Sequence, residues 1–269
     1  MRDFTLQAYN HLLLSLQQLG FSFYTIENYY LLGASKFGHT RIIILRHDVD
    51  KKPVKSLALA QIEASLGIHA TYYFRIVPES NQPDFIRRIA DLGHEIAYHY
   101  EDLTICKGDT EKAYESFQKN LAYFRTYYPV KTISMHGSPA GKYDNRDIWN
   151  HYDYRDFDII GEPYFDFLDE NVNEPDGNKF YFTDTAGMWD GDKYNVRDKS
   201  IGRSSNGKVK VHTTDDLIRF LTTNRNVREV MINTHPQRWT DNKTEWLLEY
   251  TTQKAKNIIK RFLVLRTGQ

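Results

Sequence analysis

Four segments place metal-capable or proton-transferring side chains directly after short apolar runs. RIIILRHDVD (41–50) delivers His47, Asp48 and Asp50. EIAYHYED (95–102) delivers His99, followed by Tyr100, Glu101 and Asp102. KTISMHGSP (131–139) delivers His136, followed by Gly137, Ser138 and Pro139, and REVMINTHP (228–236) delivers His235 before Pro236. Carboxylates and imidazoles are the ligands a hydrolytic metal takes while keeping one position open for water. The same groups move protons near neutral pH. One such histidine usually just makes a structural hydrogen bond, and one Asp-x-Asp is often a turn or helix cap. Four at successive strand ends call for a shared cause, because the carboxyl ends of strands in a parallel α/β sheet or barrel converge on one site.

The elements that must position these residues alternate between strand and helix. The sequence predicts strands at 41–46, 70–76, 95–99, 131–136, 157–161, 179–185 and 228–235. Helical patterns cover 53–66, 82–92, 109–127, 213–224 and 241–263. Pro53 suits a first helical turn, and Gly67 suits the position just past a helix end. Gly93 stops the second of these helices, and the Thr/Asp-rich start at 213 suits capping. Nearly all-apolar strands between helices imply a parallel sheet buried on both faces. The polar stretches 137–156 and 186–212 read as long loops, which in a compact domain are usually functional.

The chain has 269 residues, enough for a core that needs no disulfide or structural metal. Lys plus Arg equals Asp plus Glu, 35 each, which argues against an electrostatically driven nucleic-acid binder. Nineteen tyrosines offer rings with hydroxyls, which suit sugar ligands as well as core edges. Cys106 is the only cysteine, the first twenty residues read as an amphipathic helix rather than a signal peptide, and no apolar run approaches ~20 residues. A cytoplasmic protein without a transmembrane segment is the expectation.

LRHDVD at 45–50, with GHEIAYHYEDL at 93–103, resembles the NodB-homology polysaccharide deacetylases, carbohydrate esterase family 4. The resemblance spans about residues 40–240 and is closest to a branch associated with surface-polysaccharide biosynthesis. It implies an α/β fold with a distorted or incomplete (β/α) barrel. One domain is expected, with 1–40 a helical extension, 41–240 the barrel core and 241–269 a C-terminal helix. It further implies Asp48 as general base, Asp50 and His99 as metal ligands, and His235, in INTHP, as catalytic acid. SMHGSP at 134–139 falls where the family carries an Arg-Pro-Pro segment.

Two departures matter. The second histidine of the family's metal motif would fall at Leu103, which cannot bind metal. His136 is the first choice for the third ligand, with Glu101 and His47 as alternatives; His94 is expected away from the site. The family's arginine is also missing, and Arg46, two residues before Asp48 on one strand face, can steady that carboxylate. Arg46, Tyr100, Trp189 and Trp239 are the expected substrate-lining residues. The reading is a metal-dependent hydrolase, zinc being the expected ion, that removes an N-acetyl group from a carbohydrate. A carbohydrate-binding or scaffold protein that kept the fold, or a hydrolase of another small C–N amide, are the competing readings.

Overall fold

The computed structural model describes residues 2–33, 36–137, 141–168, 179–191, 203–204, 207–208 and 210–267. The strands are β1 (Phe21–Tyr24), β2 (Arg41–Val49), β3 (Thr71–Phe74), β4 (Glu95–Tyr100), β5 (Ile133–Met135), β6 (Lys179–Thr183) and β9 (Glu229–Thr234). A two-residue ladder pairs β7 (Arg203–Ser204) antiparallel with β8 (Gly207–Lys208). The main sheet is parallel throughout, in the order β5-β4-β3-β2-β9-β6. β1 pairs with the first half of β2, on the edge that β3 takes over from Arg46 onward. The curled sheet is an incomplete (β/α) barrel, with β5 and β6 at its two ends.

The helices are α1 (Leu6–Gln18), α2 (Ile26–Leu32), α3 (Pro53–Ser65), α4 (Pro83–Asp91), α5 (Asp102–Ile105), α6 (Thr110–Phe124), α7 (Pro163–Asp166), α8 (Thr214–Thr223) and α9 (Lys243–Thr267). Pro53 opens α3 where its missing N–H costs nothing. α8 begins with a reciprocal Thr213–Asp216 capping box. Gly93, between α4 and β4, has φ +88°, and a Cβ there would meet the His69 ring at 2.7 Å, so only glycine fits.

Period-two alternation sorts the strand residues onto two faces. Ile43, Leu45, Tyr72, Ile96, Tyr98 and Val230 face the helices and form the larger apolar cluster. Ile42, Ile44, Tyr73, Ala97, Tyr181 and Met231 face inward and close the lower barrel with a smaller one. Continuing each inward series toward the carboxyl end reaches Arg46 and Asp48 on β2, His99 on β4 and Asn233 on β9. The apolar floor thus gives way to a polar upper layer at the strand ends.

Two elements depart from the sequence expectation. FDIIG at 157–161 is not a strand. It follows a 3-10 turn, Tyr154–Phe157, and contributes one parallel bridge, Gly161 to Thr132. β1 was hidden within the segment read as a helical extension. Ser138, Pro139 and most of the polar stretch 186–212 lie outside the described residues.

Candidate metal centre and active site

Asp50, His99 and His136 meet at the strand ends, with one ligand atom from each lying within 4.8 Å of the others. His136 Nε2 is 3.6 Å and His99 Nε2 3.9 Å from Asp50 Oδ1. Ligands at about 2.1 Å from a tetrahedral ion stand roughly 3.4 Å apart, so these separations suit one divalent cation.

The tautomers sharpen the case. His99 Nδ1 lies 2.9 Å from the Ser134 carbonyl, and His136 Nδ1 lies 2.9 Å from Glu101 Oε2. Both partners can only accept, so in each neutral ring Nδ1 carries the proton and Nε2 keeps its lone pair. With both rings neutral, as metal ligands must be, two lone pairs face Asp50 Oδ1, a buried oxygen with no hydrogen-bond partner among the described residues. Three donors converging with no proton between them form a hole that a cation fills. Burial outweighs the nearby carboxylate of Asp48 and brings His99 down to about 4, so it is neutral, as a ligand must be. Burial works against the charge of Asp50, but His235, with His136 and His99 once these are protonated in acid, holds its carboxyl below the usual range.

Glu101 is not aimed at this hole. Arg75 takes both its oxygens, at 2.7 and 2.8 Å, and His136 takes one of them. Burial opposes its charge, yet hydrogen bonds from His136 and Arg75 bring it down to about 2. His47 is excluded as a ligand by alternation: one residue before Asp48, it faces the helices. There its Nδ1 meets Thr234 Oγ1 and its Nε2 meets Glu63 Oε1, at 2.7 and 2.9 Å. His94 also lies in that outer cluster, 3.5 Å from Glu63 Oε2. Leu103 is buried in the outer apolar core on α5.

Asp48 is bound by the Arg46 fork at 2.8 and 3.0 Å and accepts a third bond, 2.9 Å, from Asn233 Nδ2. Burial opposes its charge, but Arg46, with His99 and His235 beyond, holds it well below the usual carboxylate range. Arg46 itself is fully buried between the rings of Tyr73 and Tyr164.

His235 closes the site from β9. Its Nδ1 donates to Asp184 Oδ1 at 2.6 Å, so Nε2 is the nitrogen that remains for proton transfer. Burial and Arg238 disfavour a protonated His235, yet Asp184 outweighs both and raises it above its ordinary value. Asp184 also accepts from the His235 backbone N–H, Arg238 Nη1 and Trp239 Nε1, at 2.8–2.9 Å. The sequence reading did not single out this aspartate. The available signal was that it ends β6 as Asp48 and His235 end theirs. Gln237 was missed too; its amide donates to Asp50 Oδ2 at 3.0 Å, leaving Oδ1 to the centre.

Three expected substrate contacts are corrected. Tyr100, Trp189 and Trp239 are each fully buried and offer no ring face to a sugar. Tyr100 follows His99 by one residue and so points to the opposite face, against Phe117 and Trp149. Trp189 and Trp239 pack with Phe4, and Trp239 spends its indole N–H on Asp184. Arg46 lines the site, but its fork is committed to Asp48.

No family model and no curated protein matches the chain. Similar solved structures include a CE4 family pseudoenzyme from Bacillus anthracis and a mutant of it with restored enzymatic activity. Each matches at 16% identity and a TM-score of 0.41 over 80% of this chain. The match spans 61% of the pseudoenzyme and 63% of the mutant, less than two thirds of either. Among the described residues, no helix is long and apolar enough to cross a membrane.

Proposed function

We propose that the chain is a metal-dependent hydrolase that removes the acetyl group from an N-acetylated sugar. The observation that carries the reading is the convergence of Asp50 Oδ1 with the Nε2 lone pairs of His99 and His136, beside an ionised carboxylate and an Asp-backed histidine. The substrate class comes from the resemblance of LRHDVD, GHEIAYHYEDL and INTHP to the polysaccharide deacetylases.

Asp50, His99 and His136 would hold the ion, with zinc expected from their mixed N/O donor set. When bound, the ion supplies Lewis-acid polarisation of the acetyl carbonyl and acidifies water. The remaining work belongs to the protein. Asp48, kept ionised by Arg46, is the base that takes a proton from the attacking water. Its low proton affinity means that it can do so only from a strongly acidified water. His235, whose protonated form Asp184 favours, gives a proton to the nitrogen as the C–N bond breaks. Water is consumed, and acetate and a free amino sugar leave.

The test is acetate release by zinc-loaded protein from a panel of N-acetylated mono- and oligosaccharides, with small cyclic amides alongside. Turnover of a sugar that is abolished in Asp48→Asn supports the reading. Turnover of cyclic amides alone would move the substrate class, and binding of sugars without turnover of any substrate would favour a carbohydrate-binding protein.

A further inference from the structure

Arg75 was not among the residues singled out from the sequence, and it is not a ligand. It lies one residue beyond β3, the strand between β2, which leads to Asp50, and β4, which carries His99 and leads to Glu101. Its side chain spans that gap. Nε and Nη2 take the two oxygens of Glu101, at 2.8 and 2.7 Å, while Nη1 donates to the main-chain carbonyl of Asp50 at 3.3 Å. Its own backbone N–H donates to Ser80 Oγ, which in turn donates to the Val49 carbonyl, tying the end of β3 to that of β2. Glu101 passes the constraint to His136 Nδ1, on the strand beyond.

We infer that Arg75 is a positioning residue for the metal centre, acting through Glu101 on His136 and through the Asp50 carbonyl on the third donor. This rests on the metal reading above. The guanidinium fork does two things at once. It fixes the plane of the Glu101 carboxylate, so one oxygen stays on His136 Nδ1 and the Nε2 lone pair stays on the centre. Through Nη1 it also holds the main-chain carbonyl of Asp50, fixing the backbone that carries the third donor. Outer partners of this kind orient a ligating imidazole and raise its basicity, and losing one typically weakens metal binding 10–100-fold. An ordinary ion pair at the rim of the site, with Arg75 19% exposed, would have no effect on metal affinity.

The experiment is zinc affinity by chelator competition on the full chain for wild type, Arg75→Ala, Arg75→Lys, Glu101→Ala and the Arg75→Ala/Glu101→Ala double variant, each first checked by circular dichroism and melting temperature. Arg75→Ala and Glu101→Ala should each weaken zinc binding about 10–100-fold. Arg75→Lys should also weaken it, because an ammonium cannot grip both oxygens in one plane. The double variant should be no weaker than Arg75→Ala within about twofold, since Glu101 acts through the same relay. Wild-type affinity in both Arg75 variants, or a double variant whose loss is the product of the single losses, would overturn the inference. The lysine variant keeps the test open should the alanine variant fail to fold. If wild type takes up no zinc, the metal reading fails by itself. The inference is then read on metal-free protein by ¹⁵N NMR of the His136 ring. A single Nδ1–H tautomer in wild type that becomes mixed in the Arg75 variants supports it, and an unchanged tautomer overturns it.

Discussion

Asp184 Oδ1 lies 2.6 Å from His235 Nδ1 at the end of two adjacent strands, and this contact favours the protonated form of the residue assigned to the leaving group. An acid catalyst must hold its proton at working pH, so activity should fall as pH rises through the value for His235. Asp184→Asn removes the carboxylate that raises it. Activity should drop about 10²–10⁴-fold, the usual worth of a positioned proton-transfer group. The basic limb of the pH profile should also move to lower pH. In stability terms the sign is that of a raised histidine: the contribution is fully present below the unfolded value and is lost as pH rises through the folded one. A basic limb that stays in place in Asp184→Asn would remove His235 from the mechanism.

Asp48 and Arg46 form a buried pair, so separating them affects stability as well as chemistry. Asp48→Asn should reduce kcat by about 10²–10⁴ and, because Arg46 is left buried without its counter-charge, should cost about 3–5 kcal/mol of stability. Adding Arg46→Met should return part of the stability and none of the activity. Thermal melts and rates on the same preparations check this; recovery of activity in the double variant would show that Asp48 is structural only.

Leu103 stands where the resembling family carries a metal histidine, but its side chain is packed into the outer core on α5. Leu103→His should therefore cost on the order of 2–4 kcal/mol, through lost packing and a buried polar ring, and should not tighten metal binding. A variant that melts like wild type and binds zinc more tightly would place the third ligand at position 103 instead of His136.

Strand positions and the inward run of polar residues were legible in the sequence, for a physical reason. β2, β4 and β9 are apolar runs that end in charge, and period two puts Arg46, Asp48 and His99 on the inner face without further information. The same rule, applied strictly, would have turned Tyr100 and His47 outward. Asp184 was harder, because its role appears only when β6 lies beside β9 and brings it to His235. The tryptophans were unreadable for a similar reason. Their polar sequence surroundings suggested exposure, but Phe4 and Tyr9 from the N-terminal segment bury Trp239, a contact between residues distant in the chain. FDIIG misled because a short apolar run fits a strand or a packed turn equally well.

Behind the site, Glu63 on α3 is fully buried and accepts bonds from the Tyr9 and Tyr72 hydroxyls, with His47 2.9 Å away. Burial opposes its charge, but His47 and its hydrogen bonds bring it down to about 2 from 4.5. A depressed carboxylate contributes stability that is present above about 4.5 and is lost as pH falls toward about 2. Glu63→Gln should thus be less stable than wild type at neutral pH, by on the order of 3 kcal/mol, and the gap should close across that acid window. Denaturant melts at several pH values decide this; a gap independent of pH would mean that the charge of Glu63 does not matter to the fold.

The most direct test of the central claim is the metal content of protein purified without chelator, followed by zinc titration of wild type, His136→Ala and His235→Ala. Wild type should carry or take up about one equivalent, His235→Ala should match it, and His136→Ala should lose it, since a three-ligand site does not readily tolerate losing one. Wild-type protein with under ~0.1 equivalents and no uptake on titration, or a His136→Ala variant that binds zinc as wild type does, would contradict the account.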